Sequence, residues 1–127
     1  GDVLGALYVS DPKYDVDIFL GTGGGPEGVL AAAALDAYDC HFQGRFIFSD
    51  PKDISEAKKL GINDLRRKYE LSEIIKGDSI FCATGITTGD LLSGIKIENE
   101  MYTSETLVTH KSTQLKKIIK KTNSIKE

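Results

Sequence analysis

A glycine-rich turn between an apolar run and a helical stretch is the feature that most constrains this fold. Residues 16–20 are mainly apolar, as in a buried strand, and four of the next five residues are glycine. Pro26 suits the first turn of a helix, where its missing N–H costs nothing. Residues 29–37 are nearly all alanine and aliphatic, which predicts a helix packed on both sides. Free N–H groups at such a turn favour an anion, by default phosphate.

The glycine pattern allows two kinds of phosphate ligand. It contains G-x-G-x-x-G at Gly23, Gly25 and Gly28. Asp50 follows a second apolar run at residues 46–48, so the segment resembles a dinucleotide fingerprint, and an NAD-binding domain is the alternative hypothesis. Glu27 argues against a dinucleotide, because its carboxylate would repel a pyrophosphate unless a metal ion lay between them. No Gly-Lys-Ser/Thr follows, so the P-loop form of phosphate site is excluded.

Glu27 itself has two interpretations. A carboxylate beside a phosphate-binding turn suits a divalent cation that bridges the two, since such ions take oxygen ligands from protein and substrate together. Alternatively, Glu27 only complements the helix dipole, an effect of about 0.3–1 kcal/mol. The residues by themselves leave both interpretations open.

Four separated segments resemble class II fructose-1,6-bisphosphatases of the GlpX type. These segments, in family order, are residues 21–33, 43–45, 83–92 and 104–108. The resemblance covers the C-terminal part of such an enzyme. It implies metal-dependent hydrolysis of the 1-phosphate of fructose 1,6-bisphosphate to fructose 6-phosphate, in gluconeogenesis and glycerol metabolism, with Mn²⁺ or Mg²⁺ as cofactor.

The resemblance also implies roles for individual residues. Glu27 would be a metal ligand, Gly24 would contact the substrate through its backbone, and Gly1 with Asp2 would line the sugar-phosphate site. From the residues alone, Asp2 is equally an N-cap for a helix beginning at Val3. No catalytic residue is assigned, because the family's other acidic metal ligands and its basic phosphate-binding residues lie upstream of Gly1. We therefore expect the 127 residues alone to be inactive.

The composition of the chain limits its possible partners and cellular compartment. A net charge of −3 offers no basic surface for nucleic acid, and no apolar stretch is long enough to cross a membrane. Two cysteines, Cys40 and Cys82, make no disulfide framework, which favours a reducing, cytoplasmic compartment. His41 and His110 lack partners at metal-ligand spacing, so we interpret both histidines and both cysteines as structural. A chain that opens on glycine predicts a fragment, and the full-length parent is expected to be a homo-oligomer.

The order of apolar runs predicts an α/β fold. Strands at 16–20 and 45–48 around the first helix suggest a parallel βαβ unit, with the glycine turn at its functional edge. A third strand is predicted at 78–83. We expect one domain over residues 1–127, with a mostly parallel sheet flanked by helices and a small antiparallel C-terminal β element, as in sugar phosphatases.

The remaining segments have weaker signals. An amphipathic helix is predicted at 50–61, and residues 62–65 and 71–77 continue the helical cover. Alternation between 95 and 110 predicts antiparallel edge strands joined at Asn99 and Glu100, followed by a frayed or packed tail. The threonine- and glycine-rich loop at 84–90 either binds an anion or forms a capped turn, with Asp90 as a cap or support. Arg45 either reaches a phosphate or forms a surface ion pair.

Overall fold

The structure is a computed structural model that describes residues 3–125. The helices are α1 (Val3–Ala6), α2 (Gly25–Asp36), α3 (Pro51–Lys59) and α4 (Leu71–Ile74), with 3-10 turns at Leu7–Ser10 and Pro12–Tyr14. The strands are β1 (Gln43–Gly44), β2 (Tyr69–Glu70), β3 (Ile80–Thr84), β4 (Lys96–Glu98), β5 (Met101–His110) and β6 (Leu115–Ser124). No described helix is long and apolar enough to span a membrane.

Helix α2 begins as the glycine turn predicts. Gly24 is its extended N-cap residue, and Pro26 lies in its first turn. The second half of α2 is buried at successive residues that face different sides of the helix, namely Ala31, Ala32, Ala34, Leu35 and Asp36. Val29 and Leu30 remain about half exposed. The prediction that this helix is packed on both sides is therefore confirmed for residues 31–36 and wrong for the first half of the helix, where Val29 and Leu30 remain exposed.

The amphipathic helix predicted at 50–61 is confirmed as α3, and the structure shows a cap at each of its ends. The Asp50 carboxylate accepts the Lys52 backbone N–H at 2.7 Å, which satisfies one free donor of the first turn. Gly61 ends the helix with a positive φ of 85°, a conformation that costs glycine little. The Ile62 N–H then reaches back to the Ala57 carbonyl at 2.9 Å, as in a Schellman motif. Residues 62–65, by contrast, form no helix.

Strand β5 is the centre of the larger sheet. Strand β6 pairs with β5 along its whole length, so the predicted tail is an ordered strand. On the other edge, β4 pairs with the beginning of β5 and β3 pairs with its end, from Thr84 opposite Thr106 to Ile80 opposite His110. Asn99 and Glu100 both have positive φ, as a two-residue type I′ hairpin requires. The predicted antiparallel hairpin at these residues is confirmed.

The predicted mostly parallel sheet is wrong. Every strand pair in the described part of the chain is antiparallel, including the two-residue ladder between β1 and β2. Residues 16–20 and 46–48 form no strand, so the βαβ unit is not formed. The physical reason is that strands need a neighbouring ladder, and residues 3–125 supply none here. Ile18 is 71% exposed and Leu20 is 84% exposed. The mixed helix and strand content remains compatible with an α/β phosphatase-like fold.

The core lies between α2 and the larger sheet. It also includes the first 3-10 turn and the loop after β3, and its buried residues are Leu7, Ala34, Leu35, Phe81, Leu92 and Leu107. This core holds the first 3-10 turn, α2 and the loop after β3 together.

Candidate functional site

The structure brings two predicted site residues, Gly24 and Glu27, together at the start of α2. Glu27 is exposed in the first turn, and its Oε2 lies where a Cβ on Gly24 would stand. Gly24 has φ −67° and ψ 152°, a conformation open to any residue. Glycine at position 24 therefore gives room to a carboxylate, and its backbone flexibility is not what the site uses.

This carboxylate fits a metal ion as one hard oxygen ligand. It accepts no hydrogen bond from another described residue, so its oxygens are available. Among residues 3–125, no group of three or more His, Cys, Asp or Glu side chains is assembled to hold a metal ion. Glu27 thus supplies a single ligand. The predicted substrate residues Gly1 and Asp2 lie outside the described residues, so their roles stay predictions.

The loop after β3 is closed by its own polar groups. The Thr88 hydroxyl accepts the Gly94 N–H at 3.0 Å, and the Glu105 carboxylate accepts the Ser93 N–H at 2.8 Å. This backbone donor is the main cause that lowers the pKa of Glu105. Thr84 bonds across the sheet to Thr106 at 2.8 Å. The Thr88 contact supports the capped-turn interpretation, whereas Thr84 forms a cross-strand pair between β3 and β5.

Asp90 links this loop to the beginning of the chain. The Tyr8 hydroxyl donates to Asp90 Oδ2 at 3.2 Å, and the Tyr14 hydroxyl donates to the Asp90 carbonyl at the same distance. The two tyrosine rings stack with centroids 4.4 Å apart. Neither tyrosine is predicted from the sequence, because pairs separated by 82 and 76 residues leave no local pattern. Asp90 therefore acts as a support for the loop.

Arg45 lies in a shallow cavity of about 300 Å³ beside the glycine turn. Leu20, Gln43, Gly44 and Lys68 line the same cavity. Neither Arg45 nor Lys68 forms an ion pair with any residue in the described range, so the surface ion-pair interpretation of Arg45 lacks an acidic partner. The charged side chains of Arg45 and Lys68 therefore lie near Leu20, directly before the glycine turn, without an acidic partner in the described range.

His110 is held in a polar cluster at the end of β5. Its Nε2 lies 2.7 Å from Asp78 Oδ2, and its Nδ1 lies 2.8 Å from the Thr113 hydroxyl. Ser112 donates to the same aspartate from both its hydroxyl and its N–H. The hydrogen bonds from Ser112, followed by that from His110, hold the pKa of Asp78 below its usual range. These contacts support a structural role for His110, and both cysteines are free thiols.

Nothing in the fold favours the dinucleotide-binding alternative. That hypothesis needs a parallel strand after the glycine helix and a free Asp50 at the ribose. The strand is absent from the described residues, and Asp50 is occupied as the N-cap of α3.

Comparison with known proteins points to one family. Residues 1–123 match the family described as bacterial fructose-1,6-bisphosphatase, glpX-encoded. The chain is 37% identical to the class 2 fructose-1,6-bisphosphatase of Haemophilus influenzae, over 93% of its own length and 40% of that protein. It is also 37% identical to fructose-1,6-bisphosphatase 1 class 2 of Escherichia coli K12, over 85% of this chain and 36% of the relative.

A third relative has a broader name. It is the D-fructose 1,6-bisphosphatase class 2/sedoheptulose 1,7-bisphosphatase of Synechococcus sp. JA-2-3B'a(2-13), 36% identical over 85% of this chain and 35% of the relative. The chain thus spans about two fifths or less of the length of these relatives. With a family match over nearly all of its residues, the chain belongs to the glpX-encoded, class 2 fructose-1,6-bisphosphatases.

Proposed function

We propose that this chain is the C-terminal α/β portion, over residues 1–127, of a metal-dependent fructose-1,6-bisphosphatase. The complete enzyme would hydrolyse the 1-phosphate of fructose 1,6-bisphosphate in gluconeogenesis and glycerol metabolism. Family membership supports the reaction class. The observation that carries the proposal is the Glu27 carboxylate, which lies without a hydrogen-bond partner from the described residues against Gly24 at the start of a 12-residue helix.

The roles of the residues follow from this arrangement. Glu27 would hold one divalent ion, and the Gly24 backbone would contact the substrate together with Gly1 and Asp2. The N–H groups of the first turn of α2, with the helix dipole, would orient a phosphate oxygen. When bound, Mn²⁺ or Mg²⁺ would supply a Lewis acid for the phosphoryl oxygens and lower the pKa of a water molecule.

One carboxylate cannot hold a catalytic metal pair. The remaining ligands must come from residues that the described part of this chain does not contain. We therefore expect the chain alone to release no phosphate from the bisphosphate, and to act only as part of a complete enzyme. We further propose that this enzyme is a cytoplasmic homo-oligomer. The two free thiols support a reducing compartment.

A chimera tests the metal role of Glu27. This chain replaces the matching segment of the H. influenzae relative, and phosphate release from fructose 1,6-bisphosphate is measured with Mn²⁺ present and absent. Glu27→Gln keeps the side-chain shape and removes the charge, so we expect activity to fall by at least about 100-fold, as for a lost metal ligand. Glu56→Gln, on the exposed surface of α3, is the matched control and should retain full activity.

Calorimetric titration of the bisphosphate, with and without Mn²⁺, separates binding from turnover. Loss of metal-dependent binding in Glu27→Gln, with an unchanged melting temperature, supports a ligand role. If binding and turnover both persist, Glu27 only complements the helix dipole. Turnover by the isolated 127 residues at a rate comparable with the chimera would contradict the expectation of inactivity.

A further inference from the structure

The loop between β3 and β4 has a backbone that closes on itself. We call residues 85–94 the closed loop. Gly85 and Gly94 are buried at its two ends. A Cβ on Gly94 would lie 2.6 Å from the Thr88 nitrogen, and one on Gly85 would meet the Ser93 carbonyl oxygen. Only glycine allows the two arms of the loop to approach this closely, so the arms hold each other in place.

Asp90 in the closed loop is fixed from two directions. Leu92, two residues further along, is buried in the core with Leu7. The Asp90 carboxylate accepts the Tyr8 hydroxyl, and the Asp90 carbonyl accepts the Tyr14 hydroxyl. The two tyrosine rings stack with an angle of 30° between their planes. One aspartate thus binds two aromatic side chains that also support each other.

Each tyrosine belongs to a segment that leads to a predicted substrate residue. Tyr8 lies in the 3-10 turn that follows α1, and Gly1 with Asp2 directly precedes α1 in the sequence. Tyr14 ends the second 3-10 turn, from which the chain runs to the glycine turn and Gly24. The closed loop is therefore bonded to both segments that lead to the predicted substrate contacts.

We propose that Asp90 is a positioning residue for substrate binding in the complete enzyme. Through Tyr8 and Tyr14 it holds the two segments at a fixed spacing, so that their contacts with the substrate form together. This inference rests on the proposed function. Glu27 is carried by α2, which packs on the core through Leu35. Loss of the Asp90 contacts should therefore weaken substrate binding and leave the metal role of Glu27 intact.

Steady-state kinetics of the chimera with the H. influenzae relative test this role. Asp90→Ala removes the acceptor of the Tyr8 hydroxyl, whereas Asp90→Asn keeps an oxygen there. We expect Asp90→Ala to raise KM for fructose 1,6-bisphosphate by about three- to tenfold, the effect of one lost hydrogen bond. The kcat and the Mn²⁺ concentration for half-maximal activity should both stay within about twofold of the unaltered chimera. Asp90→Asn should restore KM to within about twofold.

Tyr8→Phe is the second variant, in case Asp90→Ala does not fold. It removes only the hydroxyl and keeps the ring stacked on Tyr14, so KM should rise as in Asp90→Ala. Combining the two changes should add little further increase, because both remove the same hydrogen bond. Tyr38→Phe is the matched control, since the Tyr38 hydroxyl binds no residue within 3–125 and phenylalanine keeps the ring beside Lys116. Its KM should be unchanged.

Amide hydrogen exchange gives a readout that does not need turnover. In the same chimeras, we expect Asp90→Ala to speed exchange at residues 4–10 and 14–16 by at least about threefold. The reason is that Tyr8 loses its acceptor and Tyr14 loses a fixed stacking partner. Asp90→Asn should exchange like the unaltered chimera. Residues 54–59 of α3 are the internal reference and should be unaffected.

Several results would overturn the inference. Unchanged KM in both Asp90→Ala and Tyr8→Phe would show that these contacts serve stability alone. Unchanged exchange at residues 4–10 and 14–16 would show that Asp90 does not hold the two segments. A lower kcat or a shifted Mn²⁺ requirement would place Asp90 among the reacting groups instead of behind them. An unaltered chimera that releases no phosphate would contradict the proposed function instead, and the exchange comparison would still decide whether Asp90 holds the segments.

Discussion

Gly24 and Glu27 illustrate how one residue sets the position of another. The Glu27 carboxylate lies in space that any side chain at position 24 would occupy. Because the Gly24 backbone conformation is open to every residue, a substitution there would act through this contact. The family resemblance implies separate substrate and metal roles for these residues, and in the structure the Glu27 carboxylate lies against Gly24.

Gly24→Ala should therefore reproduce the effect of Glu27→Gln. In the chimera with the H. influenzae relative, we expect Gly24→Ala to lower phosphate release at least about tenfold, because the new methyl group displaces the carboxylate. The melting temperature should fall by only a few degrees, since alanine is a poorer N-cap than glycine.

Two comparisons make this prediction specific. Gly23→Ala adds the same methyl group where nothing lies within 4 Å, so its activity should be unchanged. In the Glu27→Gln background, Gly24→Ala should add little further loss, because both changes remove one interaction. Additive losses would show that Gly24 acts independently of Glu27.

At the scale of secondary structure elements, Lys111 in the turn between β5 and β6 binds the C-terminal end of α2 through hydrogen bonds and ion pairs. Its ammonium group donates to the Asp36 carbonyl at 2.8 Å and lies 3.0 Å from the Asp36 carboxylate, which is largely buried. It also lies 3.1 Å from Asp39, to which the Gln114 amide donates at 2.8 Å. The hydrogen bonds that Lys111 donates to Asp36 and Asp39 raise the pKa of Lys111.

Lys111→Met should separate the stability that comes from the Lys111 charge from the stability that comes from the packing of its side chain. Methionine keeps the aliphatic length but leaves the Asp36 carboxylate without its cation. We expect the melting temperature to fall by roughly 3–6 °C. Lys13→Met is the control, because Lys13 pairs with Asp11 at 3.3 Å on the exposed surface. That change should cost less than about 1 °C, and equal losses for the two variants would contradict a special role for Lys111.

For the whole molecule, carboxylates with lowered pKa values predict sensitivity to acid. The groups concerned are Asp11, Asp39, Glu73, Asp78 and Glu105. Their ordinary values are 3.8 for Asp and 4.5 for Glu. A folded-state pKa below these values means that the unfolded chain binds more protons. The stability from these groups is complete above their ordinary values and is lost as pH falls through the folded values.

Asp78→Asn provides the test, because Asp78 is hydrogen-bonded to both Ser112 and His110. Urea unfolding midpoints are measured from about pH 3 to about pH 7, a range that includes the pH values at which carboxylates titrate. We expect the unaltered chain to lose stability below about pH 4.5, and Asp78→Asn to show a shallower loss. Asp53→Asn, whose carboxylate has no hydrogen-bond partner among residues 3–125, should follow the unaltered profile. Identical profiles for Asp78→Asn and the unaltered chain would show that Asp78 does not contribute to the loss of stability in acid.

Local signals determined those parts of the fold that depend on neighbours along the chain. Pro26 and Gly24 begin α2, Asp50 and Gly61 bound α3, and Asn99 with Glu100 turns the hairpin. Each depends on backbone conformation or on a donor only a few residues away, which a sequence pattern records directly. The family, too, was evident from the sequence, because its motifs are continuous segments.

Tertiary structure alone decided the pairing of strands and the contacts between distant loops. Residues 16–20 have the composition of a buried strand, but a strand forms only beside a partner, and residues 3–125 provide none. The contacts of Tyr8 with Asp90 and of Lys111 with Asp36 join residues more than 70 positions apart. Such contacts exist only once the core between α2 and β5 has formed, so periodicity and spacing could not predict them.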